Sequence, residues 1–164
     1  MGALILTGPP GAGKNSVAAA YAKLRERCAV IDVDLVRWMV LQPHRAPWDG
    51  EAGMAQQRLG VRHACMLARS FVHEDYDVLI HDVLSDETAK LYRSELAGLN
   101  PRIVLLMPSL EEVERRNSTR GPRLRADEIR MLYEGQMNLR CFDHKIDNSA
   151  LSPQEVAEQL LRFI

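Results

Sequence analysis

A three-layered α/β fold built on a parallel sheet is predicted by three observations. Short apolar, β-branched runs recur along the chain, and helix-forming stretches separate them. A glycine-rich string joins the first such run to the first helical stretch, in the strand, tight loop, helix order.

The elements follow in order. Ala3-Leu4-Ile5-Leu6-Thr7 suits a buried parallel strand, and Val17-Ala18-Ala19-Ala20-Tyr21-Ala22-Lys23-Leu24 is a strong helix former. Ala29-Val30-Ile31, Val78-Leu79-Ile80 and Ile103-Val104-Leu105-Leu106 read as further buried strands, with a weaker one at Lys145-Ile146. A long helix is expected over about 52–74, and another from Ser85 to Gly98, whose glycine suits a C-cap. Ser109 with Glu112 and Ser152 with Glu155 have capping-box spacing, and Pro153 sits at the first helical position of the second. Residues 43–50 have turn and rigid-loop chemistry, and 117–122 read as another loop.

The chain has 164 residues, which suits one domain over 1–164. Its formal charge of -1, its 5% aromatic content and the lack of a basic block argue against nucleic acid as a partner. Cys28, Cys65 and Cys141 are scattered, with no CxxC pair, so buried thiols are expected. No apolar stretch approaches membrane-spanning length and no leader is visible, so the expectation is a cytoplasmic protein away from membranes, monomeric or homodimeric.

Gly8-Pro9-Pro10-Gly11-Ala12-Gly13-Lys14-Asn15-Ser16 matches the spacing of a Walker A phosphate loop. In such a loop successive backbone N–H groups cradle an anion, and the lysine reaches the β- and γ-phosphates of a nucleoside triphosphate. Gly8, Gly11, Ala12, Gly13, Lys14, Asn15 and Ser16 are therefore the candidate ATP-binding residues, with Mg2+ expected alongside ATP. Asn15 stands where Ser or Thr normally supplies a hydroxyl to magnesium. Its carbonyl oxygen can substitute, but its NH2 group cannot ligate a cation.

Ligands of an open parallel sheet collect beyond the carboxyl ends of its strands. Asp32 and Asp34 follow the second strand, and a strand continuing that far would point both the same way. Asp34 is the candidate base contacting the acceptor and Asp32 the one nearer the metal; the competing reading makes Asp34 the cap of a helix starting near Leu35. Asp82, ending the run Val78-Leu79-Ile80-His81-Asp82, has the Walker B shape and competes with Asp32 for the metal.

Arg115, Arg116, Arg120, Arg123 and Arg125 lie close together with no acid among them. Guanidinium forks on a closing loop neutralise charge in phosphoryl transfer, which makes Arg120 and Arg123 candidates. Arg115 reads more simply as a helix-surface partner of the preceding glutamates, and Arg116 has an alternative role stacking on adenine.

With these segments the chain resembles small P-loop kinases of the shikimate kinase, gluconate kinase and chloramphenicol phosphotransferase types. The likeness extends to Asp147-Asn148-Ser149-Ala150-Leu151-Ser152-Pro153, similar to the family's loop beside adenine. The resemblance implies a five-stranded parallel sheet of order 2-3-1-4-5, a lid over about 117–126 carrying Arg120 and Arg123, and an acceptor segment over about 35–75. Within that segment Arg37 and Arg58 are the candidate acceptor contacts, beside Trp38, His44, Arg45, Trp48 and Arg62, which also read as core and surface residues. The function so implied is an ATP-dependent kinase phosphorylating a hydroxyl of a small metabolite or antibiotic. The alternatives are a nucleoside or nucleotide kinase, and a nucleotide-binding protein whose catalysis Asn15 has weakened.

Overall fold

Alternation of side chains along the strands builds the molecule. The computed structural model describes residues 2–119 and 124–163. Strands β1 (Ala3–Thr7), β2 (Cys28–Asp32), β3 (Asp77–His81), β4 (Arg102–Leu106) and β5 (His144–Ile146) form one parallel sheet in the order β2-β3-β1-β4-β5. Ala3 and Ile5 of β1 pack into one hydrophobic core while Leu4 and Leu6 pack into the other, the period-two pattern of a strand covered on both faces.

One face is covered by α1 (Lys14–Lys23) and α7 (Pro153–Leu160), through Val17, Ala18, Tyr21, Val156 and Leu160. The other carries α2 (Val33–Arg37), α3 (Gly50–His73) and α4 (Asp86–Glu95), through Val33, Val61, Ala64, Ala68 and Tyr92. Helices α5 (Leu110–Ser118) and α6 (Ala126–Met137) follow β4. The two capping serines act as their spacing predicts: Ser109 accepts the Glu112 N–H, and Ser152 exchanges bonds with Glu155.

Three local expectations need correction. The strand ends at Asp32, so the helix begins at Val33 rather than near Leu35, and Asp32 caps it by accepting the Asp34 N–H at 3.0 Å. Strand alternation therefore does not relate the two aspartates. Asn117 is helical rather than the start of a loop, its side-chain Nδ2 donating to both Pro10 O and Val113 O. Helix α6 occupies a stretch that hydrophobic periodicity left unassigned.

Two glycines differ in what their neighbours allow. A Cβ on Gly53 would fall 1.9 Å from the Ala46 carbonyl oxygen, where α3 meets the preceding loop, whereas one on Gly135 in α6 would meet nothing within 4 Å. Gly53→Ala is expected to cost about 1–3 kcal/mol through overpacking, and Gly135→Ala to gain about 0.5–1 kcal/mol of helix stability. Urea unfolding of the two variants checks this; equal midpoints would refute the packing argument.

Candidate functional site

The loop between β1 and α1 is shaped by its glycines. Gly8 passes so close to β4 that a Cβ there would lie 2.4 Å from Leu106 O. Gly11 has φ +88°, and a Cβ would also meet Asn117 Nδ2 at 2.5 Å.

Five consecutive carbonyls of this loop accept hydrogen bonds from side chains. Lys14 Nζ donates to Gly8 O at 2.7 Å and Pro9 O at 3.2 Å, and Asn117 Nδ2 donates to Pro10 O at 2.9 Å. Arg116 Nη1 reaches Gly11 O and Ala12 O at 3.5 and 3.4 Å, and Asn148 Nδ2 donates to Ala12 O at 2.8 Å. Among the described residues no side chain caps the N-terminus of α1, whose first N–H groups and dipole favour an anion. Loop and helix together form a candidate phosphate cradle.

Asp32 lies beside the cradle. Its Oδ1 caps α2, and its Oδ2 accepts the Asn15 amide Nδ2 at 3.3 Å. A carboxylate only accepts, so the amide must turn its NH2 toward it. An NH2 group is no cation ligand, and Asn15 and Asp32 so arranged do not fit a magnesium ion held directly between them.

Asp34 sits in the first turn of α2 with its side chain 69% exposed, and Arg37 Nη1 lies 3.6 Å from it. Arg37 is mostly buried, threaded against α3 where Gly60 leaves room: a Cβ there would lie 2.5 Å from Arg37 Cγ. Its Nε has no hydrogen-bond partner among the described residues. Arg58 is engaged with Glu51 and Glu87, tying α3 to α4, and the structure gives it no contact with Asp34. Beyond Asp34 the chain exposes Leu35, Trp38 and Met39, with Trp38 stacked on His44 at 3.8 Å.

Asp82 is buried and turned toward the α4 side, accepting Tyr92 OH at 3.0 Å and the Val83 N–H at 2.7 Å. Burial pushes its carboxyl up to about 7, against the pull of the Val83 N–H. Neighbouring His81 is buried too, its Nδ1 3.9 Å from Asp32; burial lowers its pKa, although Asp32 opposes this. A network from Thr7 through Gln136 to Leu84 fixes the connection into α4.

Arg115 pairs with Glu112, and Arg116 binds the same carboxylate at 2.6 Å, holding Glu112 down to about 2, chiefly through the Arg115 bond. Arg116 also donates to Asn148 O at 3.0 Å, so it joins the phosphate loop to the segment before α7. A cleft of about 350 Å³ opens beside the cradle, lined by Gly13, Ser16, Arg116, Asn148 and the segment 149–153. Arg120 and Arg123, with residues 121 and 122 of the expected lid, lie outside the described residues.

Residue by residue, the structure gathers Gly8 through Ser16, Asp32 and Arg116 around the cradle, and Asp34 with Arg37 on the adjoining helix. Sequence reasoning missed Asn117 and Asn148 as loop supports and Tyr92 as the partner of Asp82. Their partners are distant in sequence, except Tyr92, whose ten-residue offset matches no local pattern.

No family model matches the chain, and no curated protein matches it in sequence. Solved structures do match in shape. The APS kinase of Mycobacterium tuberculosis, in complex with AMPPNP and APS, is 22% identical with a TM-score of 0.76, covering 98% of this chain and 95% of that one. A sugar kinase from a Janibacter species is 13% identical with a TM-score of 0.76, covering 99% and 93%. Shikimate kinase from Acinetobacter baumannii, in complex with shikimate, is 16% identical with a TM-score of 0.65, covering 99% and 92%. The chain thus has the fold of small P-loop kinases, and the structural neighbours are kinases acting on small molecules. Among the described residues no helix is long and apolar enough to cross a membrane.

The Asp82 carboxyl yields a pH prediction. With its folded pKa raised to about 7, it keeps in the native state a proton that the unfolded chain releases near the usual carboxylate value. Its contribution to stability therefore falls as pH rises between those values, by up to about 1.4 kcal/mol per unit. Relative to Asp82→Asn, neutral throughout, the wild type should lose melting temperature between about pH 5 and about pH 7. Parallel melting curves across that range would sink the argument.

Proposed function

We propose that the chain is a cytoplasmic kinase, monomeric or homodimeric, that transfers the terminal phosphoryl group of ATP to a hydroxyl of a small molecule. The observation that supports this best is Asp34: an exposed carboxylate in the first turn of α2, on the same carboxyl edge of the sheet as the phosphate cradle. In this reading the cradle N–H groups and Lys14 hold the phosphates. Arg120 and Arg123 are the sequence's candidates for neutralising charge on the transferred group.

Asp34 accepts the proton of the acceptor hydroxyl as the new oxygen–phosphorus bond forms and the bond to the ADP oxygen breaks. Arg37, held 3.6 Å from Asp34 with its Nε unpartnered among the described residues, suits an acceptor that also carries an anionic group. Arg58 is left out of this assignment because Glu51 and Glu87 engage it. One observation favours a second reading, a nucleotide-binding protein with slow transfer: Asn15 is hydrogen-bonded to Asp32.

Screening hydroxylated metabolites and antibiotics for ATP-dependent phosphorylation tests the proposal. Asp34→Asn is expected to lower kcat by at least about a hundredfold while leaving ATP affinity within about threefold. Undiminished turnover refutes the base assignment. Turnover with nucleoside monophosphates and with no small alcohol would replace this acceptor class by nucleotides.

A further inference from the structure

The residue after the loop lysine departs from its motif, and the structure shows what it does instead. Asn15 Nδ2 donates to Asp32 Oδ2, while Asp32 Oδ1 caps α2. Each oxygen of that carboxylate therefore already accepts one donor. The other candidate metal acid, Asp82, is turned away and bonded to Tyr92 and Val83. Among the described residues no three His, Cys, Asp or Glu side chains gather into a group that could hold a metal ion. Residue 15 would then be the direct protein ligand, and it presents hydrogens to a carboxylate rather than an oxygen to a cation.

We infer that this chain binds nucleoside triphosphate with little help from a divalent ion, because a direct Asn15–Asp32 hydrogen bond stands where protein ligation of the metal would be. The inference rests on the triphosphate site of the proposed function. An ion accompanying the nucleotide is held by phosphate oxygens and water, so it adds little affinity for the protein. The amide carries no charge, and the cationic contribution falls to Lys14 and to whichever arginines reach the phosphates.

The test is calorimetric titration of the full chain with ATP, once in excess magnesium chloride and once in EDTA. The wild type is expected to bind with affinities within about threefold of each other, whereas Asn15→Ser and Asn15→Thr should bind at least about tenfold tighter with magnesium than without. Asn15 is exposed, and a thermal melt of each variant establishes that it is folded. A wild-type affinity that falls tenfold or more on chelation overturns the inference, as does a hydroxyl variant that gains no magnesium preference. An absence of ATP binding in both buffers overturns the proposed function instead, and the inference with it.

Discussion

The carbonyl groups of Gly8, Pro9, Pro10, Gly11 and Ala12 all accept hydrogen bonds from side chains, and the candidate site depends on that grip. A peptide plane carries its C=O and N–H on opposite sides, but Pro9 and Pro10 have no N–H and the Ala12 N–H donates to Pro9 O at 3.0 Å, so the grip can turn only the Gly11 and Gly13 N–H groups toward an anion. The donors come from α5, from the segment before α7, and from Lys14 itself. Each bond contributes only about 0.5–1.5 kcal/mol net, but together they hold a conformation that includes two glycines at left-handed φ. The grip also explains why Asn148 is buried: it bridges β5's end to the loop with one amide hydrogen bond.

Much of this architecture was legible because its signals are local. Apolar runs gave the strands, Ser109 and Ser152 announced their helices through side chains three residues on, and the loop's glycine spacing located the cradle. The parts that were not legible depend on contacts between distant segments. Asn117 reads as a loop residue because Asn has weak helix propensity, and only its bonds to Pro10 O and Val113 O override that preference. Asp32 and Asp34 looked equivalent by spacing. Their roles separate only because the chain turns from strand to helix between them, a choice made by the cap itself. Arg58 looked like an acceptor contact for want of its two glutamates, Glu51 one helix turn pair away and Glu87 on α4.

The electrostatic layout divides the site into an open and a closed side. Asp82 and His81 lie one after the other at the end of β3, both buried, and burial drives each toward its neutral form: the carboxyl upward, the imidazole downward. The charges that face solvent are therefore those of Asp34, Asp32 and Lys14. A neutral floor under charged groups strengthens their fields, since fewer polar or mobile charges lie beneath to screen them. Arg37 is the exception, a guanidinium drawn into the wall by the absence of a side chain at Gly60.

Asp32 links the two halves of this layout through its two oxygens. One sets the start of α2, which carries Asp34 and Arg37; the other touches Asn15, the residue next to Lys14. Losing the cap would cost about 1 kcal/mol and would release the first turn that orients Asp34. Rearrangement at residue 15 thus has a direct path to the acceptor side, two hydrogen bonds long and through one carboxylate. His81, held neutral 3.9 Å behind it, does not cancel the charge that makes Asp32 a good acceptor for both donors. The substitution of an amide for a hydroxyl in the phosphate loop is then more than a change of ligand. It joins that loop to the helix bearing the candidate base, and it does so with a donor that the Asp32 carboxylate accepts.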